Sequence, residues 1–116
     1  MEPGHIDSYR FGRIVIDNQS YTKDIILLPD SVIPNWWRKT GHKLHIDDLR
    51  AVFEAHPTTL IVGQGSISRM NIPLETRQAL KDAGIALIAL PTGEACQRYN
   101  DLRKEGNVAA ALHLTC

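Results

Sequence analysis

Three short apolar runs, Thr59–Val62, Ile85–Leu90 and Val108–Leu112, are separated by two stretches in which apolar residues return at helical spacing. That alternation constrains the fold more than any other feature of the chain, because strands alternating with helices favour a largely parallel sheet. Thr59–Val62 is short and rich in β-branched residues, as a buried strand requires. The helix that follows starts at Pro73, whose fixed φ suits a first helical position, and stops before Gly84. Thr92 caps the next helix. Ala95, Cys96, Tyr99 and Leu102 share one face of it, and Gly106 stops it. The last strand runs over Val108–Leu114 and reads as central, since it is nearly all apolar at its start.

Upstream, Leu49, Val52 and Phe53 recur on one face of a helix over about Asp48–Ala55, with Asp47 as its N-cap. The segment Tyr9–Ile16 reads as one strand, Asp17-Asn18-Gln19-Ser20 as a turn, and Tyr21–Leu28 as a second strand. The chain therefore opens with a β-hairpin, an antiparallel element added to the parallel sheet. Residues 1–7 read as a loose tail. Pro29–His45 is a long irregular stretch holding both tryptophans, and connections of this length are often functional.

The length, 116 residues, specifies one domain over 1–116. Area scaling gives such a domain a folded surface of roughly 6,300 Å² and an extended one of roughly 19,000 Å², enough burial without a staple. The 13 basic and 13 acidic residues balance, so a broad polyanion-binding face, and with it nucleic acid, is not expected. No apolar run approaches the roughly 20 residues that cross a bilayer, and Met1–Arg10 carries neither a secretory nor a transit signal. The two cysteines, Cys96 and Cys116, form no disulfide framework. The expectation is a cytoplasmic protein with reduced thiols. Cys96, on an apolar helix face, reads as a small core residue.

Two places suggest chemistry. Gly63-Gln64-Gly65 follows a buried strand, at the end where ligands bind in open α/β sheets. Its backbone could approach a ligand and cradle an anion. A strand exit that needs positive φ explains the same glycines without a ligand. Neither the dinucleotide fingerprint nor the P-loop is present, since Ser68 stands at the sixth position and no Gly-Lys-Ser/Thr follows. The cluster Trp36-Trp37-Arg38-Lys39-Thr40-Gly41-His42-Lys43-Leu44-His45 carries three fixed positive charges and two histidines with no acid between Asp30 and Asp47. Arg38 suits a two-pronged pair with a carboxylate or phosphate, His42 suits proton transfer near neutral pH, and a tryptophan suits stacking on a ligand ring, with Trp37 assigned to the ligand, or on Arg38. The plainer alternative makes one tryptophan a core plug and pairs Arg38 with a helix acid. His42-x-x-His45 lacks the further ligands of a metal site, and no cofactor is expected. His113 reads as a hydrogen-bonded strand-end histidine.

Trp36-Trp37-Arg38 with Gly41-His42, then Ile61-Val62-Gly63-Gln64-Gly65, Pro73, Thr92 with Ala95, Tyr99-Asn100 and His113-Leu114-Thr115-Cys116 resemble the Mth-domain family. The likeness runs from about Ile14 to Cys116. The family includes the adipogenesis-associated Mth-domain protein, the mitochondrial assembly factor 3 of NADH:ubiquinone oxidoreductase and many small uncharacterised bacterial proteins. The resemblance implies a single α/β domain with a mixed central sheet, packed helices and an extra β-layer from the first strands. It implies no established enzymatic activity and no established cofactor. Carried over position by position, it marks Arg38, His42, Gly63 and Gly65 as the most site-like residues.

The first functional expectation is thus a non-enzymatic binding or assembly factor with a protein partner, in reach of respiratory-complex biogenesis. The second is a site for a small anionic ligand, with or without a reaction, formed by Arg38, His42, Trp37, Gly63, Gln64 and Gly65. The sequence leaves the oligomeric state open.

Overall fold

A computed structural model describes residues 4–116. The chain runs β1 (Ile6–Arg10), β2 (Arg13–Ile16), β3 (Gln19–Tyr21), β4 (Ile25–Leu28), β5 (Ser31–Ile33), α1 (Arg50–Ala55), β6 (Thr59–Gly63), α2 (Leu74–Asp82), β7 (Ala86–Leu90), α3 (Thr92–Leu102) and β8 (Val108–Leu112). Short 3₁₀ turns precede α1 at Ile46–Leu49 and follow α3 at Arg103–Glu105.

A five-stranded sheet has the order β5-β4-β8-β6-β7. β8, β6 and β7 are parallel, and β4 joins β8 antiparallel, so the sheet is mixed and the Val108 strand is central, as its composition requires. Side chains alternate across it with the two-residue period of a strand. Ile26, Leu28, Leu60, Val62, Ala109 and Ala111 face α1 and α2 together with Trp36, Leu44 and Met70. Ile25, Leu27, Ile61, Val108, Ala110 and Leu112 face α3 and the first strands together with Ile14 and Tyr99. The second layer is a three-stranded antiparallel sheet, β1-β2-β3. The accessible surface is 6267 Å², close to the roughly 6,300 Å² expected of a packed domain this size.

The opening differs from the simple hairpin read off the sequence. The alternation over Tyr9–Ile16 is broken by a tight turn at Phe11-Gly12, where Gly12 has φ +79°, so one expected strand is two. Tyr21–Leu28 likewise splits, with β3 in the small sheet and β4 in the large one. Both runs conceal their breaks because apolar residues continue across them. Of the tail expected over residues 1–7, residues 1–3 lie outside the described residues. Ile6, 4% exposed, belongs to β1. Asp17 and Asn18 adopt positive φ in the β2–β3 turn, the geometry a two-residue hairpin turn demands.

Two helix starts also differ in detail. Asp48, not Asp47, satisfies the turn before α1, accepting a hydrogen bond from the His45 N–H at 2.9 Å. Asp47 instead pairs with Lys39 on the surface. Pro91 occupies the cap position of α3. Thr92, fully buried, uses its hydroxyl elsewhere: Oγ1 accepts from the Gly65 N–H at 2.8 Å and donates to the His113 carbonyl at 2.6 Å. That hydroxyl bolts the exit of β6 to the exit of β8. Gly65 has φ +103°, and a Cβ there would lie 2.7 Å from the Cys116 carbonyl oxygen, so only glycine fits.

Thr92→Val keeps the shape but leaves a buried N–H and a buried carbonyl unpaired, each costing about 1–3 kcal/mol. In urea unfolding its midpoint drops well below that of wild type. Val at the exposed Thr22 position changes it little. Equal midpoints for the two variants would contradict the bolt.

Candidate functional site

At the end of the sheet where β6 and β8 finish, a partly buried carboxylate ties the tryptophan loop to the segment after β8. Asp24 Oδ2 accepts from Arg38 Nη1 at 2.7 Å, and Asp24 Oδ1 accepts from the Leu114 N–H at 2.8 Å. His113 Nδ1 lies 2.8 Å from Asp24 Oδ2 and 3.0 Å from Arg38 Nη2. A proton on Nδ1 donates to the carboxylate, and a lone pair there accepts from the guanidinium, so Nδ1 serves one neighbour at a time. Arg38 Nη2 also donates to the Gly41 carbonyl at 3.1 Å. Arg38 is only 9% exposed and His113 only 7%. Arg38 Nε and His113 Nε2 are buried with no partner among the described residues.

The tryptophans divide the work. Trp36 is buried, its indole N–H donating to the Asp48 carbonyl at 2.9 Å and its backbone N–H to the Asp24 carbonyl at 2.7 Å. The Arg38 guanidinium carbon sits 4.8 Å from the centroid of the Trp36 ring, a cation–π stack in a desolvated setting. Trp37, between these two anchors, is 78% exposed. A rigid loop therefore presents one large aromatic side chain to solvent.

Burial is the largest single influence on Asp24 and raises its pKa. The hydrogen bonds of His113, the Leu114 N–H and Arg38, with the guanidinium charge, outweigh it and hold the carboxyl below its ordinary value. Elsewhere, burial pushes the Cys96 thiol up to about 12, which removes it as a nucleophile near neutral pH.

Of the residues singled out in the sequence, Arg38, His42, Gly63 and Gly65 come together around His113. The His42 ring meets the His113 ring edge-on, 6.2 Å between centroids. The His113 N–H donates to the Gly63 carbonyl at 3.0 Å. Gly65 reaches His113 through Thr92. The partner of Arg38 is Asp24, on the loop before β4, rather than a helix acid. The amides after β6 are engaged internally: Gln64 N–H with the Leu90 carbonyl, Gly65 N–H with Thr92 Oγ1, Ser66 N–H with the Thr115 carbonyl. The Gln64 side chain donates to the Met70 carbonyl at 3.0 Å. The turn thus offers none of these donors to an anion. Trp37 lines a hollow of about 470 Å³ together with Asp24 and Trp36 of the site and with Lys23, Asn35 and Thr115. The sequence reading missed Asp24 altogether, since a single acid between Lys23 and Ile25 has no local pattern.

Among the described residues, three of the four exposed large apolar side chains sit on loops that abut the segment His113–Cys116. Phe11 precedes Gly12, whose N–H donates to the Leu114 carbonyl at 2.8 Å. Ile67 follows Ser66, whose N–H donates to the Thr115 carbonyl at 2.7 Å. Trp37 lines the hollow that Thr115 also lines. Phe11 is 61% and Ile67 63% exposed. The fourth, Leu74, opens α2.

A mixed sheet, three helices, a three-stranded second layer and loops gathered on the β6 and β8 exits define a single Mth-like α/β domain. Residues 6–113 match a family described as a protein of unknown function, DUF498/DUF598, and the chain belongs to that family. Rpa2829 of Rhodopseudomonas palustris is 32% identical with a TM-score of 0.74, over 93% of this chain and 81% of its own. An outer membrane protein from Bartonella henselae is 26% identical with a TM-score of 0.83, over 100% of both chains. A Mth938-like domain of Bordetella pertussis shares the fold at 18% identity and a TM-score of 0.69, over 96% of this chain and 85% of its own. Among the described residues no helix is long and apolar enough to cross a membrane.

Because the folded-state pKa of Asp24 lies below its unfolded value, its contribution to stability is present above an ordinary aspartate pKa of about 3.9. It is lost as pH falls through the lower folded value. Thermal melts of wild type between pH 5 and pH 2.5 show a steep loss, and Asp24→Asn shows a shallower one. Equal slopes would contradict the assignment.

Proposed function

We propose that this protein is a non-enzymatic binding or assembly factor, acting in the cytoplasm, that docks a protein partner on the face carrying Phe11, Trp37 and Ile67. The observation that supports this reading is the exposure of Trp37 between two buried anchors. A large aromatic held at low conformational freedom is the kind of residue that dominates interface energies. The resemblance to an assembly factor of NADH:ubiquinone oxidoreductase makes respiratory-complex biogenesis the first setting to examine.

A second reading, a small anion held between the Trp36–His42 loop and the Gly63–Gly65 turn, has one observation in its favour. The unpartnered Nε of Arg38 and Nε2 of His113 leave polar capacity that a ligand or water would satisfy. Citrate, phosphate and nucleotides serve as probes in thermal-shift assays. A true ligand at 100 times its Kd adds about 2.7 kcal/mol, and His42→Ala, an exposed change, reduces that gain.

Trp37→Ala distinguishes the first reading. Its folding stability stays within about 0.5 kcal/mol of wild type, as surface changes do, while partner retention in quantitative pull-downs falls sharply. If wild type retains no protein in repeated trials, or the variant retains the same protein equally well, the docking face is refuted.

A further inference from the structure

β7 is an outer strand of the five-stranded sheet, hydrogen-bonded to β6 alone. Its five residues, Ala86–Leu90, contain no charge and no proline, and their register with β6 is unbroken. Natural edges usually carry one of these devices against strand addition. β5, at the opposite edge, has only three residues.

The direction of each backbone group follows from two hydrogen bonds. The Ala86 N–H donates to the Thr58 carbonyl, and the Leu90 carbonyl accepts from the Gln64 N–H, both at 2.9 Å. In a parallel ladder alternate residues bond to the same neighbour, so Ala86, Ile88 and Leu90 face β6. The N–H and C=O of Leu87 and Ala89 face outward. Leu87 and Ala89 pack toward the α2 side, Ile88 and Leu90 toward the α3 side.

Beside this edge, on the α2 side, Arg77, Lys81, Gly84, Ile85, Ala86 and Leu87 line a hollow of about 430 Å³. The ion pairs among the described residues are His5–Asp7, Arg38–Asp24, Lys39–Asp47 and His113–Asp24. Arg77 and Lys81 therefore have no carboxylate partner there. Arg77 Nε donates to the Ile72 carbonyl, and Asp82, the acid at that end of α2, accepts from Gln78 Nε2.

We infer that β7 is a docking edge for an extended acidic segment of a partner protein, added as a further strand. The outward groups of Leu87 and Ala89 supply the main-chain hydrogen bonds, as in other cases of strand addition. Every second side chain of the incoming segment falls on the α2 side, where a carboxylate meets Arg77 and Lys81. The intervening side chains lie against Ile88 and Leu90, so apolar residues fit there. A second copy of this chain fits less well. Two-fold pairing on β7 would set the Arg77–Lys81 rim against its own copy on the same face of the joined sheet. This edge is separate from the Trp37 face and does not depend on it.

The test uses fluorescence anisotropy with a fluorescein-labelled decapeptide of alternating Val and Glu. Its counterparts are a Val–Lys peptide and a Val–Glu peptide with prolines at one central Val and the Glu next to it, so that a donor facing β7 is lost in either strand direction. The Val–Glu peptide binds, the Val–Lys peptide does not, and the proline peptide binds about tenfold more weakly or worse, having lost main-chain donors. Lys81→Glu, on the surface of α2, weakens the Val–Glu peptide and admits the Val–Lys peptide. Hydrogen exchange of the Leu87 and Ala89 amides slows when the Val–Glu peptide is added. Absence of Val–Glu binding up to millimolar concentration, equal binding of the Val–Lys peptide, indifference to Lys81→Glu, or unchanged exchange at Leu87 and Ala89 would each overturn the inference. So would protection of those amides that grows with concentration of the protein alone, which would assign the edge to a second copy.

Discussion

One partly buried carboxylate organises the end of the molecule that carries the candidate site. Asp24 takes a hydrogen bond from Arg38, another from the Leu114 N–H, and a contact from His113. A charge in this position needs such partners, because removing it from water uncompensated costs several kcal/mol. The three partners come from the tryptophan loop, from the segment after β8 and from the exit of β8 itself. The requirement to satisfy one charge thus fixes where two loops and a strand end must lie. Trp36, stacked under Arg38 and bonded to the Asp24 and Asp48 carbonyls, makes the arrangement rigid. Trp37 is held outward as a consequence.

The parallel part of the fold was legible because its signals are local. Val108–Leu112 and Thr59–Val62 are apolar runs of strand length, Gly84 is a helix stop, and the helices between show their faces at three- and four-residue spacing. The first strands were less legible. Apolar alternation runs through the turn at Phe11-Gly12, and the break between β3 and β4 is a change of sheet rather than a change of composition. The site was legible only in part. Arg38 and His42 stood out as a basic cluster without acids, and Gly63 and Gly65 as a glycine turn. The residue that joins them did not, because Asp24 and His113 are 89 positions apart and no short-range spacing marks such a pair. The bolt made by Thr92 was hidden for the same reason: its sequence context reads as an ordinary helix cap, and its hydroxyl is instead drawn inward by two strand exits.

Those strand exits also explain why the glycine turn supports the fold more directly than a ligand. Its amides close onto Leu90, Thr92 and Thr115, and the tight approach of Gly65 to Cys116 leaves no room for a side chain. What the end of the sheet offers outward includes the exposed side chains of Phe11, Trp37 and Ile67, on loops pinned from below. That surface gives the docking proposal its physical basis.

The central claim is that Asp24 and Arg38 act as a coupled pair that locks the tryptophan loop to the segment after β8. A double-mutant cycle in urea, with Asp24→Asn, Arg38→Met and the double variant, measures it directly. The account predicts a coupling energy in the upper part of the roughly 0.5–3 kcal/mol range found for residues in direct contact, with the double variant more stable than the sum of the single losses implies. Additive losses, with no coupling between the two positions, would contradict it.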